Sequence, residues 1–172
     1  YEYEPLNLTK DQIRLVIIKP GPEDSTIECT LDVFDKDNAP EYITLSYTWG
    51  SPTMTRLIRV NGRSLSVRQN LYEFLTCYRN DKTNTCHIWI DQICISQAHT
   101  SERNHQVAMM ARIYEGCLHA IIWLGRESEQ LALDFSQRRW GGQYLAANDY
   151  FRRLWIVQEV VLSPKQVILC GN

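Results

Sequence analysis

The sequence predicts an α/β domain: a mostly parallel sheet flanked by helices, with an N-terminal β-strand pair and a β-hairpin. Three observations carry this. Apolar and β-branched runs of strand length recur along the chain. An Asn61-Gly62 pair sits between two of them. After residue 85 the pattern alternates strand, helix, strand, helix, strand. Such alternation needs crossover connections, and crossovers join parallel strands.

The elements follow in order. Residues 13–18 (IRLVII) are apolar and β-branched, residues 19–25 (KPGPEDS) break the chain, and residues 27–34 alternate again. These read as two strands joined by a loop. Residues 42–47 (YITLSY) form a strand closed by Thr48, Trp49, Gly50 and Pro52. Residues 57–60 and 64–67 flank Asn61-Gly62, a dipeptide that tolerates positive φ in a tight hairpin.

Leu71, Phe74, Leu75 and Tyr78 fall at i, i+3, i+4 and i+7, which makes one helical stripe ended by Asn80-Asp81. Residues 86–90 (CHIWI) form a strand with Asp91 at its carboxyl end. Thr100-Ser101-Glu102 opens a second helix with a hydroxyl cap and an acid in the first turn. Its buried stripe is Val107, Met110, Ile113, Tyr114 and Cys117, and Gly116 marks its end. Residues 118–124 (LHAIIWL) form a buried strand. Residues 131–135 read as helical and 138–142 as an irregular loop. A third helix spans 150–162, stopped by Ser163-Pro164, and residues 166–170 form a last strand.

Composition narrows the class. The chain has 172 residues, 44% hydrophobic and 22% charged, which suits one domain. A net charge of -2 and scattered arginines give no nucleic-acid footprint. No apolar run approaches the roughly 20 residues of a membrane helix. The first residues, YEYEPLNL, lack the basic and apolar regions of a signal peptide. Six cysteines form no CxxC pair and make no ligand spacing with the four histidines, so no metal site is expected. They read as buried free thiols in a reducing compartment, and the expected location is the cytoplasm.

Three Trp-bearing segments mix polar with apolar residues: SYTWG, WIDQICI and RRLWIVQE. In the last, Trp155 and Glu159 are four apart and share a helix face. A carboxylate beside an aromatic is costly unless paired. Spacing leaves two readings: a salt bridge to Arg152, Arg153 or Arg103, or an acid poised by desolvation. Asp91 is either a cap on the following turn or a site carboxylate at the sheet edge. Ser46 has no GxSxG elbow around it, and neither a P-loop nor GxGxxG is present. Tyr47 and Trp49 stay open between lid and pocket wall. Trp89, Trp123, Ile93 and Ile95 read as core.

Taken together, YITLSYTWG, the Asn70-Leu71 helix start, WIDQICISQ, ERNHQVAMMARIYEGCLHAIIWLG and RRLWIVQEV resemble the fungal heterokaryon-incompatibility (HET) domain. The motifs occur in the family's order. The resemblance implies one HET domain over residues 1–172, with a motif core at 42–162 and lead-in strands at 13–34. The stretch 126–149 is shorter than the family usually carries. The chain is read as a fragment of a longer protein.

HET domains belong to fungal cell-death proteins that act when genetically unlike cells fuse. Leu45-Ser46-Tyr47 followed by Gly50 is similar to the first-strand motif of TIR domains. The Trp155 to Glu159 spacing is similar to a TIR helix whose Glu is catalytic for NAD cleavage. The resemblance therefore implies a TIR-like, flavodoxin-like sheet and NAD as substrate, with no cofactor or metal. It makes Glu159 the catalytic residue, with Ser46, Tyr47, Trp49, Asp91, Arg103 and Trp155 binding substrate. It also implies a homo-oligomer on activation and an upstream sensor domain or protein. The alternative is a non-enzymatic death-signalling module that self-associates. A metal-dependent hydrolase built on Asp91 ranks last, because it needs more carboxylates than the edge offers.

Overall fold

The computed structural model describes residues 1–22, 24–126, 148–152 and 156–169, with only the backbone of 152 and 156–158. The readings at 131–135 and 138–142, and the positions of Trp155 and Arg153, lie outside the described residues. Among the described residues, eight strands form one sheet: β1 (Gln12–Ile18), β2 (Glu28–Asp35), β3 (Tyr42–Tyr47), β4 (Thr55–Val60), β5 (Arg63–Arg68), β6 (His87–Trp89), β7 (Ala120–Trp123) and β8 (Gln166–Leu169). Their order across the sheet is β5-β4-β2-β1-β6-β3-β7-β8.

The sheet is mixed, which corrects the expectation of a mostly parallel one. β1 runs antiparallel to β2 and to β6, and β4 runs antiparallel to β5. β2/β4, β3/β6, β3/β7 and β7/β8 are parallel. For β1/β2 and β4/β5 the reason is connection length, whereas β1 and β6 are far apart in sequence and meet only as sheet neighbours. A hairpin permits only antiparallel pairing, whereas parallel neighbours need a crossover. The predicted alternation holds for the block β6-β3-β7-β8. The N-terminal pair and the hairpin do not stand apart from it. β1 is stitched to β6 through Val16 and Ile88, which makes a single sheet.

The hairpin forms as read. Asn61 and Gly62 have φ of 49° and 76°, the signs that a right-twisting two-residue turn requires. Helix α1 (Gln69–Asn80) buries Leu71, Phe74, Leu75 and Tyr78, the predicted stripe. β6 is short, and Asp91 starts a one-turn helix, α2 (Asp91–Cys94), rather than ending the strand.

Helix α3 (Thr100–Glu115) differs from expectation in two ways. Its N-cap is His99, with no side-chain capping bond, and Glu102 is buried instead of facing solvent at the dipole. Val107 is 36% exposed while Met109 is buried, so the stripe is rotated slightly. The third helical region comprises a 3-10 turn, Asp149–Arg152, and α4 (Ile156–Val161).

Trp89, Trp123, Ile93 and Ile95 lie in the core, each at most 2% exposed. Cys29, Cys94 and Cys117 are buried free thiols, Cys77 is half-buried and Cys86 is exposed, while Cys170 lies outside the described residues. Among the described residues no helix is long and apolar enough to cross a membrane.

Candidate functional site

β3 lies between two parallel neighbours, so all six of its residues are buried. A polar side chain there needs a partner, because leaving it unbonded costs a desolvation penalty of about 1–3 kcal/mol. Ser46, 1% exposed, has two. Its Oγ lies 2.6 Å from Tyr150 Oη and donates to Glu159 Oε2. A hydroxyl carries one proton, so the Tyr150 hydroxyl must donate to Ser46. The chain of donors Tyr150, Ser46, Glu159 ends on a carboxylate that is 2% exposed.

Tyr150 is itself fixed. Its N–H donates to Asn148 Oδ1 at 2.9 Å, and Asn148 Nδ2 reaches the Leu124 carbonyl at 3.3 Å. The segment after β7 therefore holds the hydroxyl that completes the Ser46 network.

The second segment meets the first at Trp49 and Asp91. Trp49 Nε1 donates to Asp91 Oδ2 at 2.7 Å, while Asp91 Oδ1 accepts the Gln92 N–H at 2.7 Å. One side chain thus bonds the amide that follows it and anchors the indole. The Arg68 guanidinium stacks 4.8 Å from the Trp49 ring centroid and donates to the Gly50 carbonyl at 2.7 Å. Gln97 Nε2 donates to the Asp91 carbonyl at 2.9 Å. The turn at Gly50 is closed from below by Asn70. Its Nδ2 bonds the Thr48 carbonyl and its Oδ1 accepts from Trp123 Nε1 at 2.9 Å.

These residues border a cleft of about 470 Å³ at the carboxyl edge of the parallel block. Thr48, Trp49, Asp91, Gln97, Arg103 and Glu159 line it. Thr48 Oγ1 is buried there with no hydrogen-bond partner among the described residues. Arg103 reaches the Gln97 carbonyl at 3.5 Å, the outer limit of a hydrogen bond. The volume falls within the range of small-molecule sites.

The structure thus brings together Ser46, Trp49, Asp91, Arg103 and Glu159. It does not bring Tyr47 to the cleft lining: that ring is 1% exposed within the core cluster. Two of the salt-bridge partners considered for Glu159, the side chains of Arg152 and Arg153, lie outside the described residues, as does Trp155.

Sequence reasoning missed Tyr150, Arg68 and the pair Arg14–Glu102. Arg14 sits inside the apolar run of β1, and that interruption was its signal. Its guanidinium binds Glu102 at 2.7 and 3.0 Å, with both residues at most 5% exposed. It also donates to the Cys94 and Glu4 carbonyls. Glu102 accepts the Ser96 N–H at 2.7 Å. Burial pushes the Glu102 carboxyl upward, but the Arg14 bond and the Ser96 amide outweigh it and hold the group below its usual range. This pair ties the N-terminal segment and the 91–99 turn to the sheet, so it sets the outer wall of the cleft.

Among the described residues no group of three histidines, cysteines or carboxylates converges as a metal site would require.

Comparison with known proteins places these features in a family. Residues 42–143 match the family described as "Heterokaryon incompatibility protein (HET)". That stretch includes Ser46, Trp49, Asp91 and Arg103, and Glu159 lies beyond it. The chain is also similar to "Heterokaryon incompatibility protein 6, OR allele" of Neurospora crassa. The two are 30% identical over an alignment of 138 residues that covers 73% of this chain and 20% of that protein. The chain therefore spans about a fifth of the length of the curated relative it matches. No solved structure gives a significant match. With the family matched over more than half of its length, the chain belongs to the heterokaryon incompatibility (HET) family.

Proposed function

We propose that this domain is a fungal cell-death effector of heterokaryon incompatibility, acting in the cytoplasm, that cleaves the nicotinamide–ribose bond of NAD in a TIR-like manner. The observation that carries the reading is the Glu159 carboxylate, buried, fixed by Ser46 and lining the cleft beside Trp49 and Asp91. Strand order lends support. Taken in chain order, the parallel strands β3, β6, β7 and β8 lie as second, first, third, fourth. That is the order of flavodoxin-like sheets, which bind ligands where the order reverses. Here the reversal falls beside β3 and β7, next to Ser46.

The chemistry is glycosyl transfer to water. The bond between ribose C1′ and the nicotinamide nitrogen breaks, and its electron pair stays on that nitrogen, cancelling the ring's charge. C1′ becomes oxocarbenium-like, as in glycoside hydrolysis. The fixed carboxylate of Glu159 stabilises that charge or engages a ribose hydroxyl. Water adds its oxygen to C1′ and releases a proton, giving nicotinamide and ADP-ribose. Trp49 offers an aromatic wall, and Thr48 Oγ1 and Arg103 offer polar contacts. Ser46 is a positioning residue. Assembly on activation and a sensor elsewhere in the protein belong to the same reading.

The test is nicotinamide release from NAD by concentrated or tethered protein. Glu159→Gln keeps an acceptor for Ser46 and removes the charge, so it should abolish release and leave the melting temperature within a few degrees. Full activity in that variant ends the catalytic assignment.

A second reading, a non-enzymatic self-associating module, is favoured by one feature. β8 is the outer strand of the sheet, and Ile168 and Leu169 are 43% and 36% exposed. Exposed apolar edges invite pairing. That reading expects toxicity without loss of NAD, and loss of toxicity on Ile168→Lys.

A further inference from the structure

A second and larger cavity adjoins the cleft. Its volume is about 660 Å³, and Tyr1, Tyr3, Leu65, Arg68, Gln92 and His99 line it. Gln97 belongs to the walls of both cavities. Trp49 belongs to the cleft and Arg68 to the larger cavity, and the two side chains stack at the divide. One hydrogen-bonded turn therefore carries Asp91 toward one chamber and Gln92 toward the other.

Charge is arranged to suit a ligand with an anionic centre. Arg68 uses one nitrogen for the Gly50 carbonyl and forms no ion pair with a carboxylate among the described residues. His99 stands on the rim of the larger cavity, with its Nδ1 2.7 Å from Ser96 Oγ. The carboxylates Asp91 and Glu159 lie in the cleft, and Glu2 borders the larger cavity. The divide itself is cationic, and the far chamber has aromatic walls and hydrogen-bonding groups. Tyr1 and Tyr3 pack edge to face there, 4.8 Å apart.

We propose that the larger cavity is the subsite for the adenylate half of a dinucleotide, with the Arg68 guanidinium holding the phosphates at the divide. The inference rests on the NAD reading of the cleft and names how the rest of that substrate is bound. A planar base suits an aromatic wall, and a guanidinium fork suits phosphate oxygens. A site of this kind discriminates a dinucleotide from a mononucleotide by binding, since Arg68 lies outside the cleft where the bond breaks.

The test uses AMP, which fills only the proposed subsite, and two variants. Arg68→Ala removes the guanidinium. Thr55→Trp fills the cavity from an exposed strand position, so its fold is not at risk. Calorimetry should show AMP binding to the wild type and at least tenfold weaker binding to both variants. With NAD, both should raise KM at least tenfold and leave kcat within about threefold. Cleavage of nicotinamide mononucleotide, which lacks the adenylate, should be unchanged in Thr55→Trp. If wild type cleaves NAD but shows no AMP binding, or neither variant weakens it, the subsite assignment is overturned while the hydrolase reading stands. AMP binding lost in both variants, in a protein that never cleaves NAD, supports the subsite and removes the hydrolase.

Discussion

Arg14 and Glu102, 88 residues apart, form a two-pronged ion pair inside the protein, at 2.7 and 3.0 Å. One is on β1 and the other in the first turn of α3. The bond clamps the edge of the site wall to the middle of the sheet. Removing one partner leaves a buried charge, which costs about 3–5 kcal/mol. Arg14→Ala should lower stability by that amount in chemical denaturation.

The same pair sets an acid limit. The folded-state carboxyl of Glu102 is held below its usual value. A depressed acid contributes stability above its unfolded pKa and loses it as pH falls through the folded one. Stability should therefore drop on acidification below about pH 4. Glu102→Gln should be less stable at neutral pH, with a flatter acid limb. An unchanged acid limb in that variant would contradict the assignment.

Ser46→Ala removes a donor to Glu159 and the acceptor of Tyr150. The cost should be about 1–3 kcal/mol. Under the proposed chemistry, nicotinamide release should fall at least tenfold because the carboxylate is no longer fixed. Ser46→Thr, which restores the hydroxyl, should recover part of it. A Ser46→Ala protein with wild-type turnover would show that Glu159 is positioned by other groups.

Asn70 closes the turn that carries Trp49. Asn70→Ala loses the bond to the Thr48 carbonyl and strands Trp123 Nε1. Loss of about 1–3 kcal/mol is expected, with a change in tryptophan emission. Gly50 has φ of 73°. A Cβ there would sit 3.7 Å from Asn70 Cβ, an ordinary contact. Gly50→Ala should thus cost about 1–2 kcal/mol from backbone conformation alone. A larger loss in thermal melts would point to packing instead.

Thiol reactivity offers a check on burial. Burial pushes Cys29 and Cys94 up to about 12, so neither should react with an aromatic disulfide reagent at neutral pH before unfolding. Cys86 is exposed and should react quickly. Cys86→Ser should remove a fast phase of one thiol.

Much of the fold was legible in periodicity. The stripe of α1, the Asn61-Gly62 hairpin and the parallel block follow from local patterns of two and 3.6 residues. The burial of Trp89 and Trp123 was readable from their apolar neighbours. The site was legible only in part. Trp49 and Asp91 stood out as polar atoms at strand ends, and their mutual bond is a tertiary fact. Tyr47 looked equally suited to the cleft, yet strand alternation turns it into the core. Tyr150 gave no signal, because its role is a single hydroxyl delivered from a neighbouring segment.

By itself, the sequence determined the hairpin, the helical stripes, the parallel half of the sheet and the motif order of the HET family. Those features depend on neighbours a few residues apart. Tertiary structure alone decided that the sheet is mixed, through β1 meeting β6, and that Arg14 finds Glu102. It also decided that Glu159 rests on Ser46, across 113 residues of chain. Such contacts leave no period in the sequence, since a buried carboxylate or guanidinium is stabilised by whichever group the fold brings within hydrogen-bond reach.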